Sequence, residues 1–414
     1  HGCIPQQNQE NPQRRSQSTD HYDPRGRFQN GGNRLKMIKT TGNQIIVLGF
    51  LLGTALFSCG EKKQETIAPF VEIVEELSSE NAHIEEPYLF TSPQGETYLS
   101  WIEKYDSINI FKFSKLEGET FSPETTIAQG TDWFVNWADY PQMSAFADGT
   151  LVAAFLQKSG EGTFAYDVRI TISKDGKQWS EPFVLHDDKT QTEHGFVSMV
   201  PWGENMLVSW LDGRNTGGGG HDHSHDHGHH GQMTVRAAVL DTDGNKIDEW
   251  ELDNRVCDCC QTTAAMTEEG PVVIFRDRSE TEIRDLGIAK FENGNWQETA
   301  PVYMDLWEIA ACPVNGPRVS ALGNQVAVAW YTGAKDNPEV KVSFSDDNGK
   351  SFNPPTKIDL GKTLGRVDIE MIAQDQAMVC WMEEGMILVR SVDSSGKLGN
   401  PIQVATSSDK RSSG

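Results

Sequence analysis

The sequence predicts an all-β protein, and two observations carry this prediction. Short apolar runs are separated by turn-forming Gly, Asp, Asn and Ser residues, and the runs show no long helical period. One of these runs, a strand that ends in an aromatic residue, recurs six times, roughly 50 to 65 residues apart. A repeat of this length with four strands is typical of a propeller blade. The sequence therefore predicts a six-bladed β-propeller of four-stranded antiparallel blades.

The repeated strand closes on Trp or Phe in every copy. The copies read ETYLSW, TLVAAF, ENMLVSW, GPVVIF, NQVAVAW and QAMVCW, and they end at Trp101, Phe155, Trp210, Phe275, Trp330 and Trp381. Each copy is followed by a loop, a further strand and a glycine-containing turn, for example SKDGKQW at 173–179 and SDDNGKSF at 345–352. Asp and Ser bond their own backbone in such turns, and Gly supplies the left-handed position. We expect the propeller to extend from residue 81 to residue 407.

The turn SDDNGKSF fits the Asp-box pattern S-x-D-x-G-x-x-[WF] completely, and SKDGKQW fits it one residue short. The repeat region therefore resembles the six-bladed propellers of the sialidase superfamily, which carry BNR/Asp-box repeats. Blocks such as RVCDCCQT and CPVNGP are similar to a bacterial lineage of sialidase-like lipoproteins. Asp boxes also occur in unrelated propellers, so the resemblance specifies architecture rather than activity. Two separate β-sandwiches are the alternative, which is disfavoured because sandwiches do not repeat one strand six times.

The segment 37–58 is interpreted as a lipoprotein signal peptide. Its apolar run from Ile45 to Phe57 is too short to span a bilayer comfortably. Leu56 to Cys59 resembles a bacterial lipobox, which implies that Cys59 is lipidated and becomes the mature N-terminus. A plain secretory signal with an incidental cysteine is the alternative. We expect a lipid-anchored protein of the bacterial cell envelope, periplasmic or surface-exposed, that meets the membrane through its anchor alone.

The remaining segments are predicted from composition. Residues 1–36 are polar and without apolar periodicity, as expected of a disordered tail or of sequence upstream of a start at Met37. Residues 59–80 are predicted to be a linker that ends in a strand, PFVEIVEEL at 69–77, which either completes blade six or packs beneath blade one. Residues 408–414 form a tail.

The net charge limits the partners. The chain has 36 Lys and Arg residues against 60 Asp and Glu residues, a formal net charge of -24. A balance this acidic repels phosphate backbones, which argues against nucleic acid as a partner, and it attracts cations. We expect a small-molecule, glycan or metal ligand.

The thiols form a candidate metal site. In the propeller topology, loops between the second and third strands and between blades lie on one face, where such folds carry their sites. Cys257, Cys259 and Cys260 lead into blade four, Cys312 enters blade five and His194 enters blade three. Thiolates favour Cu(I) or Zn(II).

On an extended segment Cys257 and Cys259 point to the same side and Cys260 to the other. Cys257 and Cys259 are therefore expected to bind the ion, with Cys312 or His194 completing the site. Disulfides, for example Cys260 with Cys312, and free thiols are the alternatives that remain open.

A histidine run lies in the loop between the second and third strands of blade three. Alternating His and Asp on a glycine-flanked loop suit the binding or scavenging of divalent metal. The alternative is a tolerated low-complexity insertion. The histidines concerned are His221, His223, His225, His227, His229 and His230.

Further residues on the same face are candidates for ligand binding. Arginine matches carboxylates with two hydrogen bonds, and buried charges must be paired or meet a ligand. Any one of the charged residues also suits a structural salt bridge. The candidates are Trp137, Asp139, Arg276, Arg318, Arg366 and Asp368.

The sialidase resemblance implies three arginines that hold the substrate carboxylate, a Tyr nucleophile with a Glu partner, and an Asp acid/base. Blade one opens with HIEEPYLF, and no Arg occurs between Arg34 and Arg169, so the blade-one arginine motif is missing. Tyr331 or Tyr140 would be the candidate nucleophile. We therefore expect a ligand-binding or metal-handling propeller first. An exo-sialidase-type glycoside hydrolase is the second expectation, and an envelope scaffold for protein partners is the third.

Overall fold

The computed structural model describes residues 83–217 and 231–406, and the backbone alone of two further strands, β1 (Leu35–Lys39) and β2 (Ile73–Leu77). The described chain is almost entirely β-structure, and the one helical element in it is a 3-10 turn at Ala334–Asp336. Six antiparallel sheets follow one another along the chain, each built from a consecutive stretch. The predicted six-bladed propeller is confirmed.

The first three blades occupy residues 83–253. Blade one contains β3 (His83–Thr91), β4 (Thr97–Tyr105) and β5 (Ile108–Glu117), with β6 (Thr120–Phe121) and β7 (Thr125–Gly130) both paired to β5. Blade two contains β8 (Gln142–Ala145), β9 (Leu151–Lys158), β10 (Tyr166–Ser173) and β11 (Phe183–Val184). Blade three contains β12 (His194–Trp202), β13 (Asn205–Asp212), β14 (Thr234–Leu240) and β15 (Lys246–Asp253).

The other three blades occupy residues 263–406. Blade four contains β16 (Thr263–Met266), β17 (Pro271–Arg276) and β18 (Leu286–Glu292), with β19 (Asn295–Trp296) and β20 (Ala300–Tyr303) both paired to β18. Blade five contains β21 (Arg318–Leu322), β22 (Gln325–Thr332), β23 (Glu339–Ser345) and β24 (Thr356–Lys357). Blade six contains β25 (Thr363–Ala373), β26 (Gln376–Glu383), β27 (Met386–Asp393) and β28 (Ile402–Thr406).

The core lies between the blades. Five apolar clusters occur, one between each pair of consecutive blades from one to six. The repeated aromatic of the sequence stands on the second strand of each blade and is at most 3% exposed. Burial of each large side chain stabilises the ring by roughly 1.5 to 3 kcal/mol, so the repeat marks packing positions. These aromatics are Trp101, Phe155, Trp210, Phe275, Trp330 and Trp381.

The glycine-containing turns join the third and fourth strands of the blades. In blade five, the Ser345 hydroxyl lies 2.7 Å from the Asp347 carboxylate, and that carboxylate accepts the backbone N–H and the hydroxyl of Ser351. Gly349 follows with a φ of 77°, which a glycine adopts without strain. The turn is thus closed by its own side chains.

The expectation that β2 would complete blade six is wrong. This strand pairs in antiparallel register with β1, and blade six takes all four of its strands from 363–406. Among the described residues, no helix has the length and apolar character needed to cross a membrane.

Candidate functional site

A cavity of about 70 Å³ opens where segments that enter four different blades meet. These segments precede or begin blades two, four, five and six, so the loops between blades come together on one face. The cavity is small beside the 300 to 1,000 Å³ of typical ligand pockets, so it suits a small ligand or the tip of a larger one. Its wall includes Trp137, Tyr140, Cys259, Gln261, Arg318 and Arg366.

Two of the predicted arginines line this cavity. Arg318 donates hydrogen bonds to the hydroxyl of Tyr140 and to the carbonyl of Pro317, and its Nε lies 3.8 Å from the Asp368 carboxylate. The Arg366 guanidinium lies 4.0 Å from the ring centroid of Trp137. A guanidinium over an aromatic face is held by a cation–π contact. The cavity is therefore a positively charged pocket with one acidic residue, Asp368, at its edge.

Arg276, also predicted to bind ligand, is placed differently. It is 2% exposed and donates to the backbone carbonyls of Asn315 (2.9 Å), Arg284 (2.6 Å) and Tyr331 (2.8 Å). Its guanidinium also lies 5.0 Å from the ring of Trp307. Because its donors are directed at main-chain oxygens of blades four and five, Arg276 ties these blades together.

Asp139 is a second predicted ligand residue that lies inside the protein. It is 2% exposed, accepts the backbone N–H of Phe196 at 2.6 Å and accepts the Tyr166 hydroxyl at 3.1 Å. Burial raises the pKa of Asp139 to about 7, although these two hydrogen bonds oppose the shift. The same Tyr166 hydroxyl lies 2.7 Å from Glu193. Asp139 therefore belongs to a buried network that positions the start of blade three.

The four thiols of the candidate metal site form one cluster. The sulfur of Cys257 lies 3.3 Å from that of Cys260 and 3.8 Å from that of Cys259, and all three sulfurs lie within 4.8 Å of one another. Cys259 also hydrogen-bonds to Cys312. Cys257 and Cys260 are buried, and Cys259 reaches the cavity wall. We call Cys257, Cys259, Cys260 and Cys312 the thiol cluster.

The predicted alternation of the thiol side chains is wrong. Residues 258 and 259 form a turn, so the chain is not extended there, and Cys260 comes back beside Cys257. Cys312 lies at Cys259 rather than in the suggested bridge with Cys260. The side chains on either side of Asp258 are thereby gathered around one point.

The surroundings of the thiol cluster favour negative charge on part of it. Burial raises the pKa of Cys257 to about 11. Burial also opposes ionisation of Cys260. Hydrogen bonds from Cys257 and Cys259, the nearby charge of Arg276 and a backbone N–H of Asn315 nevertheless lower its pKa well below the usual value.

Arg284 lies 3.3 Å from the Cys257 sulfur and is 3% exposed. A buried guanidinium at this distance stabilises a thiolate. The thiol cluster therefore has the donor set and the charge balance of a site for a thiophilic cation.

His194 is not brought to the thiol cluster. It stacks on His186 with ring centroids 3.6 Å apart and faces Asp188 and Asp212. The histidine run at 221–230 and Cys59 lie outside the described residues.

His186 and Asp188 carried no signal that the sequence analysis used. They lie between blades, where neither strand periodicity nor a turn pattern applies. The signal that could have identified them is the H-x-D spacing of His186 and Asp188, which ends six residues before His194.

The architecture defines the chain as a six-bladed β-propeller. No family model and no curated protein matches the chain.

Among solved structures, the chain is similar to a protein of unknown function from Dyadobacter fermentans (13% identity, 74% of this chain and 93% of that one, TM-score 0.49). It is also similar to an α-L-arabinanase of Penicillium chrysogenum, at 12% identity over 75% of this chain and 94% of that one, with a TM-score of 0.45. A third similar structure is a Hadza microbial sialidase, at 12% identity over 76% of this chain and 68% of that one, with a TM-score of 0.40. At such identities the similarity concerns the fold alone.

Proposed function

We propose that this protein is a metal-binding propeller of the cell envelope, which holds Cu(I) or Zn(II) in the thiol cluster beside its central cavity. The observation that carries the proposal is the convergence of the Cys257, Cys259 and Cys260 sulfurs within 4.8 Å, with Cys259 in the cavity wall. Anchoring through Cys59, as the lipobox resemblance implies, would place this site outside the cytoplasm.

The sulfur separations support a shared ion. With Zn–S bonds of about 2.3 Å, two sulfurs of a tetrahedral site lie about 3.8 Å apart. Cys257 and Cys259 are separated by 3.8 Å, and Cys257 and Cys260 by 3.3 Å, so small shifts suffice to place an ion between them. A disulfide needs about 2.05 Å and joins sulfurs only in pairs, whereas Cys259 contacts Cys257, Cys260 and Cys312. One ion serves the whole cluster.

The cavity supplies a place for a ligand next to the ion. Arg318 and Arg366 border it, and both side chains remain charged at any physiological pH. A small anion seated between these guanidiniums would lie beside Cys259. We therefore propose that the cavity binds an anionic small molecule or an anionic group of a glycan.

The test is elemental analysis of full-length protein secreted by its own signal. We expect at least one equivalent of Cu or Zn in the unchanged protein and in a variant whose residues 221–230 are replaced by Gly and Ser. We expect one equivalent less in Cys257→Ser/Cys259→Ser made in that loop variant than in the loop variant itself. The matched control is Cys380→Ser, because Cys380 lies on β26 in blade six, away from the thiol cluster.

Two results would contradict the metal proposal. One is the absence of bound metal in every form after secretion and anaerobic purification. The other is alkylation mass spectrometry that shows Cys257, Cys259, Cys260 and Cys312 joined as two disulfides.

A sialidase-type hydrolase is the second candidate, because Tyr166, Glu193 and Asp139 reproduce a Tyr–Glu contact with a nearby Asp. The Tyr166 ring is fully buried and stacks on Phe134 at 4.2 Å, so no substrate atom reaches its hydroxyl. We expect no turnover of a fluorogenic sialoside. Turnover that Tyr166→Phe abolishes would favour the hydrolase over the metal-binding propeller.

A further inference from the structure

We propose that the protein binds a second metal ion, a divalent first-row transition cation, through His186, His194 and Asp167 between blades two and three. Asp167 lies on β10, His194 begins β12, and His186 lies in the connection between the blades. One ligand atom of each residue lies within 4.8 Å of the other two. The site shares no residue with the thiol cluster and does not depend on it.

Both histidines are held in the form that metal-ligating histidines adopt. The Nδ1 of His186 lies 2.6 Å from Oδ1 of Asp188, and the Nδ1 of His194 lies 3.2 Å from the carbonyl oxygen of Thr192. Carbonyl and ionised carboxylate oxygens only accept hydrogen bonds, so both Nδ1 atoms carry the hydrogen. Metal-ligating histidines donate their other ring N–H to such groups, which leaves Nε2 as the ligand atom.

Both Nε2 atoms are buried and lack a hydrogen bond of good geometry. The side chains of His186 and His194 are 2% and 0% exposed, and neither Nε2 has a hydrogen-bond partner within the described chain. A buried polar nitrogen without a partner is costly, and native proteins avoid it. The nearest carboxylate oxygens are Oδ1 of Asp167, 3.6 Å from His186, and Oδ2 of Asp188, 3.3 Å from His194. An ion placed among these atoms removes the cost.

The ring stacking also fits neutral, metal-binding imidazoles. The rings of His186 and His194 are parallel to within 7° and their centroids are 3.6 Å apart. Two positive charges at this separation repel strongly inside a protein, so the rings do not both carry the extra proton. Neutral imidazole is the ligand form.

The charge around the rings leaves room for a cation. Arg214 neutralises Asp212 with two hydrogen bonds of 2.7 and 2.8 Å, and Trp210 donates a third at 2.8 Å. Within the described chain, no Lys or Arg lies within 4.0 Å of Asp167. A partly buried carboxylate is stabilised by an opposite charge, and two imidazoles with a carboxylate are a ligand set for Zn²⁺, Fe²⁺ and related ions.

The strands that flank the histidine run in the sequence begin and end near this place. Asp212 and Thr234 are register partners on β13 and β14, and His194 is the register partner of Asp212 on β12. The run from His221 to His230 falls in the sequence between these two strands. The proposed site is complete without that run, so the run must be removed in the test.

The test uses Zn²⁺ alone as the probe. The background is the full chain with residues 221–230 replaced by Gly and Ser and with Cys257→Ser/Cys259→Ser, which removes the histidine run and two of the four thiols of the thiol cluster. Equilibrium dialysis with elemental analysis should find one equivalent of Zn²⁺ in this background. Asp167→Asn/His186→Gln should weaken binding at least tenfold, whereas His83→Gln, an exposed histidine of blade one, should leave it unchanged.

Thermal unfolding gives a second readout that reports on folding. Saturating Zn²⁺ should raise the Tm of the background by a few degrees and leave the Tm of Asp167→Asn/His186→Gln unmoved, because only a bound ion stabilises. If that double variant does not fold, Asp167→Asn alone replaces it, since Asp167 is 16% exposed. A folded background without stoichiometric Zn²⁺, or equal Zn²⁺ binding in the variant, would overturn the proposal. Because Cys257 and Cys259 are absent here, either result is independent of an ion held by the whole thiol cluster.

Discussion

Replacing Arg276 with methionine tests whether this arginine ties blades together or binds a ligand. Methionine keeps the apolar stem and removes the four hydrogen bonds that reach three main-chain carbonyls, those of Asn315, Arg284 and Tyr331. Each carbonyl left without its donor costs about 1 kcal/mol, and the lost contact with Trp307 adds about 1 kcal/mol. The expected loss in the free energy of unfolding is about 4 kcal/mol.

That loss converts into a shift of the melting temperature. The six blades span roughly 320 residues, and an unfolding entropy of about 2.1 cal/mol/K per residue gives about 0.7 kcal/mol/K. Arg276→Met should therefore lower the Tm by about 6 °C in differential scanning calorimetry. Arg318→Met is the matched control, because its side chain is 22% exposed at the cavity, and it should lower the Tm by about 1 to 2 °C.

The pair of variants separates the two roles of arginine. An Arg276→Met protein that melts within 1 °C of the unchanged protein would refute the assignment of Arg276 to the scaffold. If that stable variant also lost anion binding, the result would support the sequence-based expectation that Arg276 binds a ligand. Arg318→Met should weaken anion binding at least tenfold while the protein stays folded, as a charged hydrogen-bond partner is removed.

Three further predictions concern the buried network and the repeated aromatics. Burial raises the pKa of Asp139 to about 7 against about 3.9 when unfolded, so the folded state keeps a proton that the unfolded chain releases. The free energy of unfolding should therefore fall by about 3 kcal/mol from pH 4 to pH 7 in urea titrations, and Asp139→Asn retaining the full slope would contradict this. A Cβ at Gly195 would lie 2.0 Å from Oδ2 of Asp139, so Gly195→Ala should cost about 1 to 3 kcal/mol; an unchanged urea midpoint would be inconsistent with the packing. Trp381→Phe removes the 2.8 Å hydrogen bond from the indole nitrogen to Glu383. It should lower the free energy of unfolding by about 1 to 2 kcal/mol more than Trp179→Phe, because the indole nitrogen of Trp179 has no hydrogen-bond partner in the described chain. Equal losses of unfolding free energy by calorimetry would argue against a role for that bond.

The fold was predictable because the same physical requirement recurs in every blade. Each second strand packs against a neighbouring blade, so it must be apolar and carry a large ring, as at Trp210 and Trp381. The turns repeat the same residue types for a similar reason, because adjacent strands must be joined by a reversal of the chain. In blade five, Ser345 and Asp347 close this turn with hydrogen bonds, and Gly349 adopts the positive φ that it needs. Repetition makes both signals visible in a single sequence.

The candidate site was less predictable because its residues lie in connections that do not repeat. The topology placed the thiol loops on one face, but the turn at Asp258 that returns Cys260 to Cys257 follows no periodicity. Nothing in the sequence distinguishes Arg276 from Arg318. In the structure, the guanidinium of Arg276 donates to main-chain carbonyls and connects two blades, whereas Arg318 lines the cavity. His194 was one of two residues, with Cys312, that the sequence offered to complete the site at the sulfurs. It packs on His186 instead, because the register of β12 with β13 holds it next to Asp212.

The central claim is that the thiol cluster holds a metal ion. X-ray absorption at the zinc K-edge tests it most directly, on protein loaded with one equivalent of Zn²⁺ after Asp167→Asn/His186→Gln and replacement of residues 221–230. The account predicts three or four sulfur neighbours at about 2.3 Å. A first shell made of nitrogen and oxygen alone, or no bound zinc, would contradict it.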